Sequence, residues 1–195
     1  MKYFAYGSNM LTERLTRRVS GARCLGNARA LGRRLAFHKR SSDGSGKCDI
    51  PSTGNNSDVV YGVLFDVPDS QRPALDEWEG VGYGYEASPI EVLDSDSSPI
   101  LAIAYLATAD AIDPRLVPYD WYHRLVVTGM RQHQLPDDYV SSVVITRSVP
   151  DPDPRRKTRL EALNPLPEAT ASPRGLILPH GSGTKNPRTI RLSAE

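Results

Sequence analysis

The chain begins Met1-Lys-Tyr-Phe-Ala-Tyr-Gly-Ser-Asn-Met10, and Leu11-Thr-Glu-Arg-Leu-Thr-Arg-Arg-Val19 follows at once. Lys2–Tyr6 reads as a short strand rich in aromatics. The segment after Asn9 places Leu11, Leu15 and Val19 on one helical face, at i, i+4 and i+8. Gly7-Ser8-Asn9 is therefore a tight strand-to-helix turn. One reading makes it an ordinary turn with Asn9 as the helix N-cap. The other makes it an anion cradle, because such a turn aims backbone N–H groups at one point beside a helix N-terminus. The turn lacks the lysine of a P-loop and the spaced glycines of a dinucleotide fingerprint, so a nucleotide is not favoured.

Working outward, Arg33–Ser41 reads as a strand, and residues 41–58 as a polar loop full of turn signals. Val59–Val67 alternates as a strand does. Ser70–Gly80 reads as a short helix with Asp69 or Ser70 as N-cap and Gly80 as the C-terminal stop. Two strands follow, Ala87–Asp94 and Ile100–Thr108, with Pro89 pointing to an edge or a strand start. Tyr119–Leu135 and Pro136–Ser148 read as helices. Strands adjacent in sequence with helices between some of them give an α+β fold: a small mixed, largely antiparallel sheet, closed into a barrel in one version, with flanking helices.

At 195 residues the length suits one domain with an appendage. Half of the 16 prolines fall after Arg147. Residues 1–147 are therefore the expected domain, and 148–195 an extended or partly disordered tail. Within that tail Arg155–Leu163 suits one or two helical turns, and Gly175–Leu178 an edge strand or a docking segment. The net charge of +1 gives no reason to expect nucleic acid or a membrane as partner. No apolar run approaches the roughly 20 residues of a bilayer span, and the first residues carry no signal-peptide pattern. Cys24 and Cys48 form neither a disulfide framework nor a zinc site. The expected location is the cytoplasm.

Glu77 and Glu79 flank Trp78 just before Gly80. A carboxylate in the last helical turn opposes the helix dipole at a cost of about 0.3–1 kcal/mol. That field, with burial against aromatics, raises its pKa and makes it a better base near neutral pH. The plain alternative is a pair of solvated surface carboxylates. Tyr83, Tyr85, Tyr119 and Tyr122 offer hydroxyls, although half-buried tyrosines more often serve packing. The four histidines show no ligand spacing, and Cys48 has only Lys47 near it in sequence, too little to make a thiol nucleophile. The run His38–Lys47 suits a solvated hairpin loop or a cover for an anion.

Tyr3–Asn9 with Met10–Leu15, and Leu75–Val81 some 70 residues later, together resemble the γ-glutamylcyclotransferase family. The resemblance runs through the tyrosine-bearing helix to about residue 140. It implies a mixed barrel in which Tyr3, Phe4, Ala5, Tyr6, Gly7, Ser8 and Asn9 wrap a γ-glutamyl group and Glu79 is the acid/base. It also implies that Tyr122, and more loosely Tyr85, contact substrate. The implied reaction closes a γ-glutamyl amine or amino acid onto itself and releases 5-oxoproline. It needs no metal, nucleotide or other cofactor, and its partner is a small γ-glutamyl molecule. A module that binds γ-glutamyl compounds in the same pocket without turnover is the alternative, and an interaction role for the Pro-rich tail is a third.

Overall fold

The computed structural model describes residues 1–164, so Gly175–Leu178 lies outside the described residues. Five strands form a closed barrel: β1 (Lys2–Ala5), β2 (Arg23–Leu31), β5 (Val59–Asp66), β6 (Tyr85–Leu93) and β7 (Pro99–Ala107), in the order β1-β5-β2-β6-β7. Every barrel pairing is antiparallel except the closing one, where β1 meets β7 in parallel at Tyr3 and Ile103. The expected α+β barrel with flanking helices is thus the observed fold. A two-stranded hairpin, β3 (Ala36–Arg40) with β4 (Gly46–Asp49), stands beside it.

Two strands depart from the sequence reading. β2 fell in a stretch given no element, and β4 in a segment read wholly as loop. β2 alternates only over Asn27–Leu31, with two small alanines facing in, and a bulge between Cys24 and Gly26 interrupts its pairing. β5 has Val60, Val63, Leu64 and Phe65 all buried, because the barrel interior lies on one face and packed elements on the other. Pro89 sits in a barrel strand, not at a free edge. It is tolerated because β6 pairs with β2 only at its far end, Arg29 opposite Leu93, leaving the Pro89 region bonded to β7 alone.

Helix α1 (Thr12–Arg18) buries Leu15, with Leu11 and Val19 buried at its ends, as the spacing predicts. Helix α2 (Arg72–Glu79) starts later than expected, after a single 3-10 turn over Asp69–Gln71, and has no side-chain cap. It ends on Gly80 at φ 71°, a left-handed conformation that glycine adopts without a Cβ clash. Helix α3 (Asp120–Gln132) lies against the Ser8–Met10 turn. A Cβ on Gly129 would come within 2.7 Å of the Leu11 nitrogen, so the bare glycine is what lets helix and turn meet. Helix α4 (Asp137–Val144) follows after Pro136.

Residues 148–164 continue as packed structure. Helix α5 (Pro154–Leu163) is longer than one or two turns and is capped by Asp153, which accepts from the amides of Arg155 and Arg156. Buried Asp151 accepts from the Trp121 indole at 2.9 Å and from Arg156, and Lys157 reaches Asp120 at 2.7 Å. Arg14 of α1 donates to Asn164 at 2.7 Å. Charged contacts therefore staple this segment to α1 and α3, which is why its low apolar content did not leave it extended.

Candidate active site

A small pocket opens between the β1–α1 turn, the end of α2 and the aromatic ends of β6, β7 and α3. Tyr3, Tyr6, Gly7, Ser8 and Asn9 line it from the first turn, Glu79 from α2, Tyr85 from β6 and Tyr122 from α3. Sequence reasoning named all eight. Phe4 and Ala5, named with them, are 0% exposed and outside the pocket lining: Phe4 faces the other side of β1 from Tyr3, and Ala5, at the end of the strand, carries only a methyl group. Cys48 and Tyr105 complete the lining. Tyr105 could have been suspected as the one phenol in an otherwise apolar strand. Cys48 was set aside as a nucleophile, and burial pushes its thiol up to about 12.

Asn9 does not cap α1. Its amide donates to the Glu79 carboxylate and, at 3.2 Å, to the Tyr3 hydroxyl, while its own oxygen accepts from Arg18 at 3.0 Å. The residue closing the first turn thereby joins the end of a helix 70 positions away. Arg18 also lies 3.6 Å from Glu79 and 5.0 Å from the centre of the Trp78 ring. Arg14 donates to the Ser8 hydroxyl at 3.2 Å. Both arginines thus hold residues that line the pocket without lining it themselves.

The Glu79 side chain is 17% exposed, whereas Glu77 and Trp78 stand in solvent. Burial raises the Glu79 pKa, and Arg18, Arg14 and Asn9 oppose that rise without cancelling it. Burial also lowers the Arg14 guanidinium to about 10, so it remains a cation at neutral pH. Tyr3, Tyr6, Tyr85 and Tyr122 are all raised by burial and stay protonated. Two of these phenols already have acceptors: Tyr6 donates to the Tyr105 carbonyl and Tyr85 to that of Cys48 at 2.5 Å. The Tyr122 hydroxyl accepts from the Cys48 amide at 3.2 Å and also hydrogen-bonds the Cys48 side chain, whereas the Tyr3 hydroxyl accepts from Asn9 and keeps a proton to offer. Among the described residues the Gly7, Ser8 and Asn9 amides make no backbone hydrogen bond.

The remaining candidates play supporting roles. His123 donates from Nε2 to the Val143 carbonyl at 2.9 Å and packs on Phe37. Lys47 pairs with Asp43 at 2.7 Å, Tyr119 donates to the Asp43 carbonyl, and Ser41–Ser45 close an ordinary hairpin turn. No group of three or more potential metal ligands occurs among the described residues. No helix among them is long and apolar enough to cross a membrane.

Comparison with known proteins agrees with this geometry. The AIG2-like family model matches residues 59–143. Human γ-glutamylcyclotransferase is 31% identical over 145 residues, covering 70% of this chain and 73% of that protein. The bovine protein of the same name is 32% identical over 146 residues, with the same coverage. A solved γ-glutamyl cyclotransferase structure superposes with a TM-score of 0.68 at 28% identity, over 76% of this chain and 88% of its own. A barrel whose first turn and α2 terminus meet in one pocket, together with relatives of this identity and coverage, leads to one conclusion: the chain belongs to the γ-glutamylcyclotransferase family of enzymes.

Proposed function

We propose that the enzyme cyclises γ-glutamyl compounds, releasing 5-oxoproline and an amine or amino acid, with Glu79 as general acid/base. The observation that carries this reading is the Glu79 carboxylate: mostly buried, raised in pKa, facing the pocket and tied by Asn9 to the turn that would hold the substrate. A base that must take a proton and give it back needs a pKa moved toward neutrality.

The substrate's α-carboxylate is assigned to the Gly7–Asn9 amides, in the positive field of Arg14 and Arg18. The γ-carbonyl oxygen is assigned to the Tyr122 hydroxyl, which burial keeps protonated. Glu79 takes one proton from the α-ammonium. The freed nitrogen attacks the γ-carbonyl carbon and forms the five-membered ring. As the amide C–N bond breaks, Glu79 delivers that proton to the leaving nitrogen. The second proton lost by the ring nitrogen passes through solvent to the released amine. Because the attack is intramolecular, holding the chain bent supplies much of the acceleration. The two free thiols support a reducing, cytoplasmic setting.

The test is incubation with a panel of γ-glutamyl dipeptides and amines, with 5-oxoproline read by mass. Product from at least one class, lost in Glu79→Gln, is the expected result. Stabilisation of the fold by these compounds with no product from any of them would favour a binding module and overturn the proposal.

A further inference from the structure

The backbone of Cys48 holds two of the pocket's tyrosines. Its amide donates to the Tyr122 hydroxyl at 3.2 Å, and its carbonyl accepts from the Tyr85 hydroxyl at 2.5 Å. Tyr122 carries the hydroxyl assigned above to the γ-carbonyl oxygen, so its aim depends on where Cys48 sits. Cys48 lies on β4, and among the described residues β4 pairs with β3 and with no strand of the barrel. Two backbone bonds tie the hairpin to the segment before α3. The Asp113 amide donates to the His38 carbonyl at 2.9 Å, and the Gly46 amide to the Val117 carbonyl at 2.9 Å. The barrel side of the hairpin needs a hold of its own.

Asp49 supplies it. The residue is 2% exposed, and both carboxylate oxygens are engaged across element boundaries. Oδ1 accepts from the Ala107 amide of β7 at 2.9 Å, and Oδ2 from His38 Nε2 on β3 at 2.8 Å. Ala107 stands opposite Tyr85 in the β6–β7 pairing. A closed circuit results: the Tyr85 hydroxyl on the Cys48 carbonyl, Cys48 joined to Asp49 by the chain, Asp49 on the Ala107 amide, and Ala107 across from Tyr85. Among the described residues, the Tyr85 and Ala107 bonds are the two hydrogen bonds that join the hairpin strands to the barrel strands. Burying a carboxylate is costly, and an apolar side chain of similar size would fill the space without that cost. What a carboxylate adds is direction, because two donors from two strands fix its place.

We propose that Asp49 is a positioning residue: through the backbone of Cys48 it aims the Tyr122 hydroxyl at the reacting carbonyl. Asp49 does not line the pocket, so it acts through Tyr122 and touches no substrate. This rests on the cyclotransferase reading above. Hydroxyls that stabilise developing charge are sensitive to displacements well under an ångström, which is why their supports matter.

The test is a double-mutant cycle of Asp49 with Tyr122, read in kcat on whichever γ-glutamyl compound is turned over. Asp49→Ala is expected to lower kcat by about 10–100-fold and to move KM by less than about threefold, because the misplaced hydroxyl is missed in the transition state. In a Tyr122→Phe background the same substitution is expected to cost less than about threefold, since the hydroxyl it aims is gone. Asp49→Asn keeps an acceptor for the Ala107 amide and is expected to retain most of kcat. Equal losses in both backgrounds, or a change confined to KM, would make Asp49 a mere support of the fold and overturn the proposal. If Asp49→Ala does not fold, His38→Phe removes one of the two bonds. Its smaller loss is again expected to vanish in Tyr122→Phe, and any other pattern overturns the proposal. If no γ-glutamyl compound yields 5-oxoproline, the turnover reading fails separately. The crystal structure of the folded variant then decides on Asp49: a Cys48 amide displaced from the Tyr122 hydroxyl upholds the positioning role, and an unmoved one refutes it.

Discussion

Glu79 and Asp151 are both mostly buried carboxylates beside an arginine, yet burial wins at one and pairing at the other. Asp151 accepts from Arg156 through both oxygens, from the Trp121 indole, and from the Asp153 amide at 2.8 Å, and it is held down at about 2. Glu79 has one amide donor and an arginine no nearer than 3.6 Å, and its pKa is raised. A carboxylate that spends its lone pairs on the fold becomes a staple. One that keeps them, at the negative end of a helix, is left free to handle protons.

The contrast breaks most visibly at Glu79→Gln. Activity on whichever γ-glutamyl substrate is accepted is expected to fall about 10²–10⁴-fold, the share that a positioned acid/base supplies. The same substitution is expected to raise the thermal midpoint at neutral pH. A carboxylate whose folded pKa exceeds its unfolded value favours folding when protonated, and that contribution is lost as pH rises through the folded pKa. The gain in the glutamine variant therefore disappears in acid, below the ordinary carboxylate pKa of about 4.3. Melting curves from pH 3 to 8 read this directly, and a glutamine variant less stable at pH 7 would show that Glu79 is a structural partner.

Asp151→Asn carries the opposite sign. It leaves Arg156, partly exposed, with only the more distant Asp153 carboxylate in the seam between α3 and α5 and is expected to cost about 1–3 kcal/mol. At this chain length that lowers the midpoint by on the order of 5 °C. Asp151 has a depressed pKa, so its contribution is present above the unfolded carboxylate range and fades as pH falls toward about 2. Wild type and variant converge there. A chain ended after Arg147 loses the whole seam and is expected to be destabilised at least as much, measured by denaturant unfolding.

This pair of carboxylates also shows what a sequence displays and what it hides. Glu79 drew notice locally as an acid in the last turn before Gly80, but that pattern left a solvated surface carboxylate open, and the resemblance that pairs Leu75–Val81 with Tyr3–Asn9 is what singled it out. The first turn, as a turn, and β5 were legible from local pattern. Asp151 was not, because nothing in residues 148–164 says that Trp121 and Arg156 will meet it. β2 stayed hidden behind its bulge and its small inward alanines, being a strand by virtue of β5 far along the chain, and β4 behind the glycine and serine of the hairpin it shares with β3. Asn9 had a good local reading as an N-cap that the fold overrode, because its amide has a better acceptor in Glu79. Arg14 and Arg18 look like solvated helix residues until α2 and Asn164 are packed against them.

Arg18 gives the smallest expected effect and the finest test of how the site is tuned. Its guanidinium opposes the burial-driven rise at Glu79, stacks on Trp78 and steadies Asn9 through the amide oxygen. In Arg18→Met the opposing charge is gone, so the Glu79 pKa moves further up. The base works only when ionised, so the acid limb of the kcat/KM profile moves to higher pH. At the alkaline plateau Glu79 is ionised in both proteins, and the loss there is expected to stay within about tenfold, reflecting a less rigid Asn9 rather than a missing base. A profile that drops uniformly without moving its acid limb would mean that Arg18 acts through Asn9 and Trp78 alone. A limb that moves toward lower pH would mean that the titrating group behind the profile is not Glu79.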